Sequence, residues 1–297
     1  MTLTRTTSNG LESLQIVNEH AEALVYLHGA HVAHFQPRGQ RPVLWMSASS
    51  VFQEGKPIRG GVPLCAPWFG PHPTDATLPA HGVIRQRAWT LQRHEVLADG
   101  TDRLELRLVC DATTSPATRL HPFSASLVVT FGRELALELS IRNTGTEPLL
   151  LGEALHTYLS VSDVRSIRIT GLEAVTFLDK MDGGARKIQE ATPLAITAQT
   201  DRVYFSETDV VVVEDPGFSR RIRVTKSGSG ATVVWNPWVE KAASMPDFGD
   251  NEWTHMVCIE AANAADSILV VPPNFTHHLR QGIAIEIPGL QDFVRVG

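Results

Sequence analysis

Long apolar runs are missing from this 297-residue sequence. Without about 18 consecutive apolar residues, no stretch reads as a membrane-spanning helix. The N-terminal MTLTRTTSNG lacks the apolar core of a signal peptide. Cysteine is scarce: Cys65, Cys110 and Cys258 are widely spaced, and no CxxC occurs. That odd count fits reduced thiols better than a disulfide framework. Runs of basic residues are also missing, and the net charge is -6. The overall field repels anions, so no nucleic-acid partner is expected, and an anionic ligand must be attracted locally. These absences lead to the expectation of a soluble, cytoplasmic protein with no membrane partner.

Other absences concern motifs. The glycines of GGVPLCAPWFG form neither a GxGxxG turn between strand and helix nor a P-loop, so no nucleotide site follows. There is no G-x-S-x-G elbow. HGAHVAHF spaces His28, His31 and His34 by three. On a strand His31 points away from the other two, which argues against a metal site.

What is present is strand pattern. Hydrophobic content is 43% and charged content 20%, enough apolar material for a sizeable core. In RLELRLVCD, Leu104, Leu106 and Leu108 alternate with charged residues, a period of two. SASLVVTFGRELALELSIRNTG holds two such runs with a hairpin turn expected at Gly132-Arg133. Further runs are ALVYLHGAHVAHF, DVVVVEDP, RIRVTKSG, ATVVWNPW, HMVCIEAA and SILVVPPN. Helical periodicity is scarce. The expectation is an all-β chain, one large antiparallel β-sandwich domain over residues 1–297, with a long loop at 46–87.

The stretch LLLGEALHTYLSV, residues 149–161, reads as a strand apolar on both faces. It nevertheless carries Glu153, His156 and Tyr158. His156 shares a face with Ala154 and Tyr158, and Glu153 takes the other. A partly buried imidazole can donate a proton near neutral pH. A hydrogen-bonded core histidine is the plainer alternative. In MVCIEAAN, Met256, Cys258 and Glu260 share one face. A carboxyl at the end of an apolar strand has its pKa pushed up and is a candidate general base, unless it simply reaches solvent.

The loop IRGGVPLCAPWFGPHP and the following HGVIRQRAW form a third constellation. Gly60-Gly61 lets backbone approach a ligand closely. Trp68 and Phe69 offer flat apolar surface suited to a sugar ring. Arg59 and Arg85 flank the loop, and guanidinium forks suit carboxylate or phosphate oxygens. Surface ion pairing is the alternative fate of both. Cys65 is read as a buried thiol rather than a nucleophile.

Taken in order, IRGGVPLCAPWFG, HGVIR, LGEALHTYLSV, TDRVYF, VVWNPWVEKAASMPDFGDNEW and MVCIEAAN resemble the D-hexose-6-phosphate mutarotases. These are the glucose-6-phosphate 1-epimerases of the aldose 1-epimerase, or galactose mutarotase-like, superfamily. The resemblance runs from about residue 20 to residue 290. It implies a β-sandwich with a sugar cleft on one sheet, a small-molecule sugar phosphate as partner, and neither metal nor organic cofactor. It assigns His156 and Glu260 as the catalytic pair. It assigns Arg59, His81, Arg85 and Asp201 to substrate binding, with phosphate the target of the arginines and Lys241 a further candidate. Where the family usually reads HGFAR, this chain reads HGVIR and keeps His81 and Arg85. An epimerase for neutral sugars and a non-catalytic sugar-phosphate binding protein remain as alternatives. A monomer is expected.

Overall fold

The computed structural model describes residues 2–110, 121–205 and 209–287. Among them every pairing between named strands is antiparallel. Two eight-stranded sheets dominate. The first runs in the order Ala185–Ile188, Thr176–Asp179, Thr200–Tyr204, Ala231–Asn236, Met256–Asn263, Glu153–Leu155 and Leu64–Cys65, with Tyr158–Ser160 also paired to Met256–Asn263. The second runs Arg168–Thr170, Val210–Asp215, Arg220–Ser227, Thr276–Glu286, Leu135–Asn143, Phe123–Phe131, Asp102–Cys110 and Thr90–Val96. A four-stranded sheet, Thr2–Ser8, Leu11–Val17, Ala21–Tyr26 and His31–Pro37, and the pair Leu149–Leu151 with Leu269–Val271 complete the set. The expected all-β architecture is what is found. No helix among the described residues is long and apolar enough to cross a membrane.

The period-two runs explain the strands directly. Along Phe123–Phe131 burial alternates residue by residue, with Phe123, Ala125, Leu127, Val129 and Phe131 inside. Those side chains join one apolar cluster with Leu104, Leu139 and Leu279 of the second sheet and Val257 and Ile259 of the first. The turn at Gly132-Arg133 has one residue more than expected: Phe131 pairs with Leu135, and Gly132 N–H bonds Glu134 O.

Residues 149–161 depart from the continuous strand expected of them. Leu149–Leu151 leaves for the small two-stranded sheet, while Glu153–Leu155 and Tyr158–Ser160 both pair with Met256–Asn263. Between them, His156 and Thr157 break the ladder. Thr157 O accepts Ile259 N–H, and His156 N–H turns to Pro63 O at 3.0 Å. The physical reason is on the other side of the strand. Only the two-residue strand Leu64–Cys65 lies there, so the loop preceding it supplies the missing acceptors, Pro63 O and Gly61 O. The helix Trp238–Ala243 was also not foreseen; it follows directly on the strand run ATVVWN, after Pro237.

Glycines lock that loop against the protein rather than against a ligand. A Cβ on Gly61 would stand 2.3 Å from Val32 O and 2.8 Å from His31 Nε2. A Cβ on Gly82 would stand 1.8 Å from Ala66 O. Gly82 and Gly39 share the same left-handed φ of 73°, but nothing lies within 4 Å of a Cβ at Gly39. Gly39→Ala is therefore expected to cost only the conformational strain, about 1–2 kcal/mol. Gly82→Ala adds a backbone clash and should cost several-fold more, read as the difference in denaturant midpoint between the two variants. Equal losses would contradict the close packing at Gly82.

Candidate active site

Sheet register assembles the site. Asp201 pairs with Trp235, Trp235 with Cys258, and Cys258 with Tyr158. Directly opposed residues share a face, so these four side chains form one row across the first sheet. The next row on that face is Val203, Val233 and Glu260. His156 stands beside this row, because the irregular step at 156–157 leaves it on the same face as Tyr158. The two rings stack with centroids 4.8 Å apart and planes within 8°. The opposite face of the same strands carries Glu153 and Asn263, which point at the second sheet. Glu153 Oε1 accepts from Asn263 and lies 3.0 Å from His277 Nε2.

His156 Nδ1 lies 3.4 Å from Glu260 Oε1. Both residues are buried, His156 at 7% exposure and Glu260 at 1%. Neither His156 Nδ1 nor Glu260 Oε2 has a hydrogen-bond partner, and leaving such atoms unpaired typically costs about 1–3 kcal/mol each. Burial drives both groups toward neutrality: it lowers the His156 imidazole well below its usual value and raises the Glu260 carboxyl well above its own. Neutral imidazole beside neutral carboxyl leaves the pair with no net charge.

His81, Arg85 and Phe69 close over this floor. The tie between Gly82 and Ala66 holds HGVIR against the APWFG segment. His81 N–H bonds Gly70 O, and Gly70 N–H points back at His81 Nδ1. That acceptor role leaves the ring proton on Nε2. Burial, then Arg85 and Lys180, hold His81 neutral with a pKa lowered to about 3. Its ring meets His156 at 5.7 Å and Phe69 at 4.7 Å. Arg85 donates to Ala80 O, while its Nε has no partner. Trp68 belongs to the scaffold instead: it is buried and donates to Pro79 O.

Arg59 stands beyond Tyr158, donating to its hydroxyl at 2.9 Å and to both carboxylate oxygens of Asp247 at 3.2 Å. Tyr158 and Asp247 hold the guanidinium charged. Both arginines act on His156 and His81. Asp201 pairs with Lys180 at 3.1 Å, and Lys180 Nζ stands 5.3 Å from the Phe69 ring centroid. All six sequence-derived candidates, His156, Glu260, Arg59, His81, Arg85 and Asp201, therefore gather around one floor. Lys241 does not join them; it is exposed on the Trp238–Ala243 helix. Lys180, Trp235 and Asp247 were missed, because only strand register and loop return bring them in. Of the remaining groups, the Cys65 thiol is buried, with its pKa pushed up to about 12, which fits the inert thiol expected. His28, His31 and His34 form no metal cluster among the described residues; His31 lies buried beneath Gly61.

Two half-buried histidines should titrate in opposite directions. His81 should stay neutral far below 6.5, with its proton on Nε2. Burial alone would lower His277, but its bond to Glu153 outweighs that and raises it. Imidazole 15N shifts followed from pH 8 to pH 5 check both; a protonated His81 at pH 6 would contradict this geometry.

Comparison with known proteins agrees with the architecture and the motifs. The family description "Aldose 1-epimerase" matches residues 12–283. A protein of Cenchrus ciliaris named "Putative glucose-6-phosphate 1-epimerase" is 32% identical over 276 residues, covering 90% of this chain and 82% of that protein. A protein of the same name from Escherichia coli is 32% identical over 284 residues, covering 95% and 93%. The crystal structure of a "putative mutarotase" from Salmonella typhimurium superposes with a TM-score of 0.89 at 28% identity, covering 96% of this chain and 94% of that one. A floor of paired imidazole and carboxyl on an antiparallel sandwich, with matches of this length, makes the chain a member of the aldose 1-epimerase family.

Proposed function

We propose that the protein interconverts the α and β anomers of a hexose 6-phosphate, acting as a glucose-6-phosphate 1-epimerase. The observation that carries this is the buried pair His156 and Glu260, 3.4 Å apart. Mutarotation needs two proton transfers at atoms bonded to one carbon, C1. Two adjacent groups sharing one proton suit that geometry.

The shared proton resides on either partner. In the tautomer with carboxylate and imidazolium, Glu260 takes the proton of the anomeric O1 hydroxyl while His156 gives its proton to the ring oxygen O5. The O1 electrons form the C1 carbonyl, and the C1–O5 electron pair leaves with O5. The open aldehyde turns about C1–C2. On reclosure His156 recovers the O5 proton as that oxygen attacks C1, and Glu260 returns its proton to O1. No net charge enters the dry floor at any stage, which fits burial favouring the neutral pair. His81, with its proton on Nε2, serves as a donor to a sugar oxygen. Asp201 accepts from sugar hydroxyls, and Phe69 and Trp235 pack on the ring.

Arg59 and Arg85 serve the 6-phosphate. The relatives named as glucose-6-phosphate 1-epimerases support the phosphorylated substrate. Asp247 gives the neutral-sugar reading its footing, because it already occupies two donors of Arg59. In the phosphate reading the dianion takes over those donors, and its larger charge outweighs the single carboxylate.

Glu260→Gln keeps shape and removes the proton acceptor. Enzymatic exchange of glucose 6-phosphate anomers should fall about 10²- to 10⁴-fold, with phosphate-sugar binding changed little. Exchange at the full rate would remove Glu260 from the mechanism. The pH dependence of kcat gives a second check. Adding another proton to the neutral pair places a charge in the dry floor, so the acid limb must lie below 6.5. A half-loss of kcat at 6.5, the ordinary imidazole value, would contradict the shared-proton pair.

A further inference from the structure

Cys258 has no part in the proton transfers, yet its thiol faces the catalytic floor. It sits two residues before Glu260 on the same strand face and directly opposite Tyr158, whose ring stacks on His156. One ligand atom from each of His156, Cys258 and Glu260 falls within 4.8 Å of the other two. All three residues are buried. Two of the polar atoms, His156 Nδ1 and Glu260 Oε2, have no partner. Imidazole nitrogen, thiolate sulfur and carboxylate oxygen are the donor types zinc prefers.

We propose that His156, Cys258 and Glu260 form an inhibitory site for a thiophilic divalent cation, zinc above all. The geometry is close to what the ion requires. Ligands of a tetrahedral zinc ion, bonded at about 2.0–2.3 Å, stand roughly 3.3–3.8 Å apart. The His156–Glu260 separation of 3.4 Å already meets this. The ligand atoms, all within 4.8 Å of one another, must close by at most about 1.5 Å. Three protein ligands leave the fourth position of a tetrahedral ion to water. The ligating forms are thiolate, carboxylate and neutral imidazole, so binding displaces protons to solvent and is otherwise balanced.

Such an ion blocks catalysis rather than assisting it. It occupies the lone pairs that Glu260 and His156 use to pass a proton, and it stands where C1 and its two oxygens must sit. The site rests on the proposed acid–base roles only for its inhibitory effect; the binding itself does not depend on them.

The test begins without sugar. Zinc is titrated into the reduced protein against a chromophoric chelator, and cobalt(II) serves as a spectroscopic probe. One zinc per chain is expected, with affinity at least tenfold weaker in Cys258→Ser and in Glu260→Gln. Cobalt should give a thiolate charge-transfer band in the wild-type protein that glucose 6-phosphate displaces. That band keeps the proposal testable should Cys258→Ser fail to fold. With sugar, stoichiometric zinc should stop anomer exchange in the wild type, a chelator should restore it, and Cys258→Ser should keep its exchange at the same zinc concentration. Absence of a stoichiometric site, a cobalt complex without the thiolate band, or binding unchanged in both variants would overturn the proposal. A wild type that binds zinc through Cys258 but never accelerates exchange would instead overturn the enzymatic reading and leave the metal site standing.

Discussion

The contact between His156 and Glu260 is the constraint around which the rest of the site is arranged. A carboxyl and an imidazole buried side by side disfavour any net charge. Adding a proton to the pair, or removing its last one, charges a dry sheet face. Burial therefore favours the protonated Glu260 carboxyl beside a neutral His156 imidazole; in the proposed mechanism the carboxyl proton is the one that moves. The unpartnered atoms of the two residues are a local cost to stability. Costs of this kind concentrate where function demands them.

The fold supplies the rigidity that such a pair needs. Glu260 sits on a strand buried along its whole length, flanked by neighbours on both sides. Behind it, Gln281 of the second sheet donates to Ile259 O and bonds Thr157, while Glu153 ties Asn263 and His277 together. Polar bridges between the sheets thus pin the two segments that carry the pair. In front, Gly61 packs its loop against Val32 of the strand His31–Pro37, and Gly82 packs HGVIR against Ala66 of the other loop. Arg59, His81 and Arg85 are positioned by those loops. The broken ladder at 156–157 is part of the same design, because it opens the strand to the loop that brings Arg59 beside Tyr158.

Much of this was legible in the sequence. Alternation in Leu104–Leu108 and in Phe123–Phe131 specifies half-buried antiparallel strands, and those strands form where expected. The facing rule put His156 with Tyr158 and Cys258 with Glu260, and ring stacking and register agree. The continuous strand over 149–161 was not correct, since periodicity is blind to a neighbour that ends after two residues. Gly60-Gly61 suggested ligand approach, but the close approach is to the protein's own backbone. Lys180, Asp247 and Trp235 carry no local signature. They reach the site only through long-range pairing, such as Asp201 with Trp235, which a single sequence does not display. Lys241 shows the converse: a plausible neighbouring motif that the short helix turns outward.

Anomer exchange measured by magnetisation-transfer NMR tests the acid–base mechanism and the phosphorylated substrate together. Glucose 6-phosphate, glucose and galactose would be compared at neutral pH with and without the protein, kept free of added divalent cations. Acceleration confined to the phosphorylated sugar is the predicted result. Acceleration of all three sugars alike would contradict the phosphate role of Arg59 and Arg85, and acceleration of none would contradict the acid–base pair itself.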